Sequence, residues 1–155
     1  MTLYTAWPSM TFWLDRLELT DWTLRFSAVT ECPGLTHVIP AGWFDESRVN
    51  LDRIAEVGEA LERAGRKIKL EAYGYDFMPV LHGFRLGNGD LFYSILQWQE
   101  DGKIGRDKYS YEFVPCEDQS PSASAIRDTF SSWFNRSAAK RWSSSSKRTL
   151  PATDG

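Results

Sequence analysis

The stretch "NLDRIAEVGEALERAGRKIKLEAY", residues 50–73, decides the fold because two different periodicities meet inside it. Its first part carries apolar residues at helical spacing, namely Leu51, Ile54, Val57, Leu61 and Ala64. Asn50 is a suitable N-cap and Gly65 a suitable C′ residue, so the pattern predicts a helix between them. After the glycine, charged residues alternate with the apolar Ile68, Leu70 and Ala72. This alternation predicts a half-buried strand.

A helix followed by a short glycine turn and a strand is one half of a βαβ crossover, provided that another strand precedes the helix. The segment "TLRFSAVT", residues 23–30, supplies that strand, since Leu24, Phe26 and Ala28 share one face. The connecting segment, residues 31–47, contains two prolines and two glycines and is predicted to be a loop. It has room for a short strand at Thr36–Ile39.

Downstream, the stretch "VLHGFRLGNGDLFYSILQW", residues 80–98, predicts a β-hairpin, because Asn88-Gly89 between two apolar runs is a strong turn signal. Its strands are expected at about Val80–Leu86 and Leu91–Trp98. A further strand around Tyr111 and Phe113 extends the meander. The final helix is capped by Ser120 and starts at Pro121, and its apolar stripe consists of Ile126, Phe130, Trp133 and Phe134.

These elements predict a single α/β domain, residues 1–142, with a mixed β-sheet that includes an antiparallel hairpin and meander and has helices packed on its faces. The remaining residues, 143–155, are Ser-rich and basic, and we expect this tail to be disordered. The N-terminal segment 9–22 fits a short helix better than a strand, although its leucines permit either.

Composition excludes several classes of protein. The net charge of −3 argues against nucleic-acid binding by the folded domain, which usually requires a basic surface. Cys32 and Cys116 form no CxxC pair and have no histidine at ligand spacing, so neither a metal nor a cofactor is predicted. There is no apolar run long enough to span a membrane and no signal-peptide pattern, which indicates a cytoplasmic protein with reduced thiols.

No phosphate-binding loop, G-x-S-x-G elbow or H-E-x-x-H motif is present. His82 is the best single catalytic candidate, since it lies beside Gly83, where another group can approach closely. A small enzyme centred on His82 would also use Arg85, Asp76 and Tyr75, near strand ends where α/β sheets place ligands. The competing interpretation is a structural histidine, held by one hydrogen bond on an apolar strand.

Residues 50–142 resemble the C-terminal part of phospholipase D-like domains, in particular the degenerate copies beside DNA-binding regions in bacterial regulators. The matching features are His82-Gly83 at the start of the hairpin and a "Phe-x-x-Trp-Phe" ending that begins at Phe130. Active members of that family carry H-x-K-x₄-D, in which histidine is the nucleophile and lysine holds phosphate. Here the second position after His82 is Phe84 and the seventh is Gly89, so the resemblance implies an inactive module.

We therefore expect a non-catalytic sensing or protein-interaction domain that binds a protein partner or a small-molecule ligand. One alternative is the small enzyme centred on His82. Another is a viral or mobile-element protein that binds and blocks a host factor through an exposed aromatic patch. The residues considered for that patch are Trp7, Trp13, Trp43 and Phe44.

Overall fold

The computed structural model describes residues 23–106 and 111–143, and it begins with a parallel βαβ unit. Strand β1 spans Thr23–Val29, helix α1 spans Trp43–Arg63 and strand β2 spans Lys69–Tyr75. The two strands pair in parallel over their whole length. This is the crossover that the sequence predicts.

Helix α1 packs on the parallel pair through the apolar stripe that defines it. Leu51 and Ile54 of the helix are buried against Phe26 of β1 and Leu70 of β2. Because Phe26 lies opposite Ala72 across the strand pair, a large side chain faces a small one under the helix. This core buries one face of both strands, as their alternating apolar residues predict.

Four further strands form an antiparallel sheet around a central strand, β4, which spans Leu91–Trp98. Strand β3, Leu81–Arg85, pairs with β4 along residues 91–95. Strands β5, Ile104–Arg106, and β6, Glu112–Val114, also pair with β4, at residues 96–98 and 91–93 respectively. The hairpin is therefore present where the sequence predicts it, and β6 lies within the further strand predicted around Tyr111 and Phe113, whereas the sequence analysis did not predict β5.

The last helix, α2, spans Pro121–Ser137 and joins the antiparallel sheet to the end of β2. Its cap is the predicted one, since the Ser120 hydroxyl accepts a hydrogen bond from the backbone N–H of Ala123. Phe130 and Trp133 are buried, and Trp133 contacts the Tyr75 ring edge-to-face with ring centroids 6.1 Å apart. The larger of the two cores forms around these residues.

The predicted α/β class is confirmed, and both parallel and antiparallel pairing occur. In the described residues these pairings form two hydrogen-bonded sheets instead of one continuous sheet. The link between β2 and β3, residues 76–80, contains Pro79, which has no N–H to donate to a ladder. The missing donor at Pro79 is consistent with the separation of the parallel pair from the antiparallel sheet among the described residues.

Three local predictions differ from the structure. Helix α1 begins at Trp43, seven residues before Asn50, and its buried face continues back from Leu51 to Ser47. The loop after β3 spans three residues, 87–89, closed by a hydrogen bond from Leu86 N–H to Asp90 O, and Gly89 supplies the positive φ of 102°. Thr36–Ile39 forms a turn, so the short strand considered there is wrong.

Some predictions fall on residues outside the described ranges. These include the N-terminal helix, the side chains of Trp7 and Trp13, and nearly all of the predicted tail. Within the described ranges, no helix combines the length and apolar character needed to cross a membrane.

The glycine of the His82-Gly83 pair is required by cross-strand packing. A Cβ atom at position 83 would lie 2.2 Å from the carbonyl oxygen of Phe92 on β4, which is too close for any real contact. By contrast, a Cβ at Gly87 in the hairpin loop would meet no atom within 4 Å. The conspicuous glycine next to His82 is therefore explained by strand pairing alone.

We predict that Gly83→Ala lowers the free energy of unfolding by about 2 kcal/mol or more, because the clash is with backbone and not with a flexible side chain. Gly87→Ala is the matched control, with an expected change within about 0.5 kcal/mol. Urea unfolding of both variants measures the difference. Equal stabilities for the two variants would contradict this close approach of β3 and β4.

Candidate functional site

His82 lies on strand β3, and only 4% of its surface is exposed. Its Nδ1 atom is 2.6 Å from the hydroxyl oxygen of Tyr111, so the two side chains share a hydrogen bond. Strand alternation puts His82 on the face of β3 opposite to Arg85. Tyr111 itself lies beside β6, on the far side of β4 from β3.

The other polar residues of the hairpin form hydrogen bonds with parts of the chain other than His82. The Arg85 guanidinium donates to the hydroxyl of Ser131 on α2, at 3.0 Å. The Asp90 carboxylate accepts from the backbone N–H of Cys116 at 2.8 Å and from the Asn88 amide at 2.7 Å. These two hydrogen bonds hold the pKa of Asp90 below its usual range. His82, Arg85 and Asp90 therefore do not form one catalytic cluster.

Two cavities separate the residues that the enzyme hypothesis grouped together. His82 lines the first cavity, whereas Tyr75 and Asp76 line the second. Arg85 borders neither of them, since it reaches Ser131 on α2. The structure thus brings Tyr75 and Asp76 together at the end of β2 but does not bring them to His82.

The first cavity, with a volume of about 350 Å³, lies between β1, the start of α1 and the His82 side of the antiparallel sheet. Its lining is mainly apolar, with a few polar groups: Ser27, Glu46, Ser47, Asn50 and His82. Ser27 is 1% exposed, and its hydroxyl has no hydrogen-bond partner among the described residues. A buried hydroxyl without a partner is costly unless a ligand or water satisfies it.

The second cavity, with a volume of about 680 Å³, opens at the carboxyl ends of β1 and β2. Glu31 and Asp76, which follow these two strands, are part of its lining. The end of α2 and the segment after it add Arg136, Lys140 and Arg141. This cavity is much more polar than the first and contains charges of both signs.

An aromatic row crosses the antiparallel sheet on the same face as His82. The row consists of Phe84, Phe92 and Phe113, which are cross-strand neighbours on β3, β4 and β6. Their rings stack in sequence, with centroids 4.7 Å and 4.6 Å apart. Phe113 is 52% exposed and the neighbouring Tyr111 is 45% exposed. The row therefore presents apolar surface to solvent.

The aromatic residues that the sequence analysis considered for an exposed patch do not belong to this row. Trp43 and Phe44, at the start of α1, are half-buried against the larger core, and Trp43 also lines the first cavity. Sequence reasoning predicted a strand around Tyr111 and Phe113, and β6 carries Phe113 there. That reasoning missed Phe84 and Phe92, because only the register of three strands brings them beside Phe113.

One group of possible metal-ligand type occurs within residues 23–106 and 111–143, formed by Asp90, Cys116 and Glu117. The hydrogen bond to Glu117 raises the pKa of the Cys116 thiol, which favours the protonated form that binds metal poorly. Asp90 is already committed to the Cys116 backbone and to Asn88. Cys32 is a buried free thiol outside this group, and His37 is exposed.

Comparison with models of known protein families gives no match, and neither curated proteins nor solved structures show a significant similarity to this chain. The likeness to phospholipase D-like domains therefore rests on the quoted residues alone.

We predict that His82→Asn lowers the free energy of unfolding by about 1–3 kcal/mol, because it removes a buried hydrogen bond and leaves partner groups less well satisfied. His37→Asn is the matched control, since His37 is exposed, and its change should stay within about 0.5 kcal/mol. Urea unfolding of both variants is the measurement. If His82→Asn were as stable as wild type, a structural role for His82 would be excluded.

Proposed function

We propose that this chain is a non-catalytic ligand-sensing domain whose first cavity binds a small, mainly apolar molecule with one hydrogen-bonding group. The observation that carries this proposal is the cavity of about 350 Å³ lined by His82 and the start of α1. Small-molecule sites are typically cavities of roughly 300–1,000 Å³ with apolar walls and a few polar groups. The first cavity has these features.

The polar groups of the lining favour a ligand with one polar end. Glu46 and Asn50 lie one turn apart on α1, and His82 enters from the antiparallel sheet. The buried Ser27 hydroxyl has no partner among the described residues, so a ligand oxygen or nitrogen could satisfy it. Phe26, Leu51 and Ile54 supply apolar surface for the rest of the molecule.

Two features support binding without turnover. Phe84, in place of the lysine of active phospholipase D-like enzymes, stacks on Phe92 in the aromatic row. Arg85 and Asp90 are engaged with Ser131 and Cys116, away from His82. The proposal therefore keeps the interpretation of an inactive phospholipase D-like module. We also propose that the protein is cytoplasmic, and its two free thiols are compatible with a reducing compartment.

The test uses indole, an apolar aromatic with a single N–H donor, as a probe of the first cavity. Saturable binding should raise the melting temperature of the full chain, because a ligand that binds only the folded state stabilises it. Ala28→Leu adds a side chain at the cavity lining and should abolish the shift. Ala60→Leu, on the exposed face of α1, is the matched control and should retain it.

Phosphodiester and phosphomonoester substrates are screened in parallel on the wild-type chain. Turnover that disappears in a folded His82→Asn variant would contradict the non-catalytic proposal and favour the small enzyme. An indole shift that is equal in wild type and Ala28→Leu would place the binding elsewhere and contradict the assignment of the cavity.

A second candidate function is protein interaction through the aromatic row. The exposed Phe113 and Tyr111 support it, since contiguous exposed apolar surface commonly marks an interface. Its occupant would be a partner protein that presents aliphatic or aromatic side chains. The hydrogen bond between His82 and Tyr111 connects the lining of the first cavity to this row, so that sensing and interaction could act together.

A further inference from the structure

The second cavity lies where ligands commonly bind in α/β proteins. It opens beyond the carboxyl ends of the parallel strands β1 and β2, which is where such sheets form binding crevices. Glu31 follows β1 closely and Asp76 directly follows β2, so the strand ends place both carboxylates at the cavity. The position of the second cavity does not indicate which class of ligand it binds, whereas the charged residues of its lining do.

The cations of the lining differ in how far they are already neutralised. Arg48 forms an ion pair with Asp45 at 3.0 Å, whereas Arg141 forms no ion pair with a described residue and only lies in the field of Glu71, which pairs with Arg25 at 2.8 Å. Arg136 lies over the Phe77 ring, 4.8 Å from its centroid, which leaves the edge of the guanidinium available for hydrogen bonds. Across the described ranges, neither Arg136 nor Lys140 takes part in an ion pair.

The acids of the lining also differ in their hydrogen bonds, and none of them forms an ion pair with a described residue. Asp52 accepts a hydrogen bond from the indole N–H of Trp142 at 2.8 Å. Glu31 and Asp76 form neither an ion pair nor a side-chain hydrogen bond with any described residue. Apart from Arg141, which lies in the field of Glu71, the lining contains two exposed cations, Arg136 and Lys140, and two exposed carboxylates, Glu31 and Asp76, that form no ion pair with a described residue.

The presence of both cations and carboxylates in the lining favours one class of ligand over others. A simple anion would be repelled by Glu31 and Asp76, and a simple amine would be repelled by Arg136 and Lys140. A molecule that carries both an anionic and a cationic group meets a complementary partner for each. Phe77 and Trp142 add ring surface to the same lining, which suits an apolar portion of the ligand.

We propose that the second cavity is a binding site for a zwitterionic small molecule. Arg136 and Lys140 bind its carboxylate or phosphate, and Glu31 and Asp76 bind its ammonium group. This site is separate from the first cavity and does not depend on the function proposed for it.

The experiment is an NMR titration of the full chain near neutral pH and at constant ionic strength. Two zwitterions distinguish the source of the anionic group: L-phenylalanine carries a carboxylate and phosphoethanolamine carries a phosphate. Phenethylamine and 3-phenylpropanoate are the single-charge analogues of phenylalanine, and ethanolamine is that of phosphoethanolamine. At least one zwitterion should bind with a Kd of about 1 mM or lower, and its single-charge analogues should bind about tenfold more weakly.

Two cavity variants and two matched controls locate the site. Arg136→Gln and Asp76→Asn should each weaken binding of the zwitterion at least about fivefold, a loss of roughly 1 kcal/mol. Arg53→Gln and Asp128→Asn alter exposed charges of the same kinds outside the cavity and should leave binding unchanged. Melting curves check that every variant is folded, and Ala28→Leu should bind the zwitterion as wild type does.

The proposal is overturned if neither zwitterion gives saturable shifts up to about 20 mM, a concentration well above the expected Kd. Equal binding of a zwitterion and its single-charge analogue would also overturn it, since one charge alone would then explain the attraction. Equal losses in the cavity variants and in the controls would indicate non-specific electrostatics and would exclude this cavity.

Discussion

The packing of α1 onto the parallel pair of β1 and β2 is the constraint on which the rest of the structure depends. Parallel strands cannot be joined by a tight turn, so the chain must cross over between them. Leu51 and Ile54 stabilise this crossover by burial against Phe26 and Leu70. Both cavities use this unit: the first lies beside β1 and the start of α1, and the second opens at the carboxyl ends of the strands.

The antiparallel sheet is tied to this unit by the C-terminal part of the chain. Trp133 of α2 packs on Tyr75 at the end of β2, and the Trp142 backbone N–H donates to the carbonyl of Ala72 at 2.7 Å. The Trp142 ring also lies over Gly74, where a Cβ atom would come within 2.7 Å of it. These contacts bring the basic segment that begins at Arg136 to the strand ends. The charge pattern of the second cavity is therefore a consequence of how the two halves are joined.

Local sequence patterns were sufficient to predict the main elements. The helical spacing around Leu51, the Ser120 cap and the apolar runs of the hairpin each depend on near neighbours, and each prediction is confirmed by the structure. The start of α1 was missed because Gly42 offers no side-chain cap and the first two turns carry many polar residues.

The candidate site was predicted less well, because it depends on contacts between distant parts of the chain. Sequence proximity grouped His82 with Arg85, whereas the fold pairs His82 with Tyr111, 29 positions away. Nothing local indicates that Phe84, Phe92 and Phe113 align, since their alignment requires the register of three strands. Similarly, Arg136 and Asp76 share a cavity only because α2 returns to the end of β2.

As proposed, the chain binds a small molecule and leaves it chemically unchanged. The most direct measurement equilibrates the full chain with a metabolite mixture across a dialysis membrane and identifies the enriched compounds by mass spectrometry. At least one compound should be enriched and recovered at its original mass without new products, and its enrichment should be lost or reduced when a cavity is altered by Ala28→Leu or Asp76→Asn. Enrichment of no compound, or conversion of an enriched compound to a product by the folded chain, would contradict the proposal of binding without turnover.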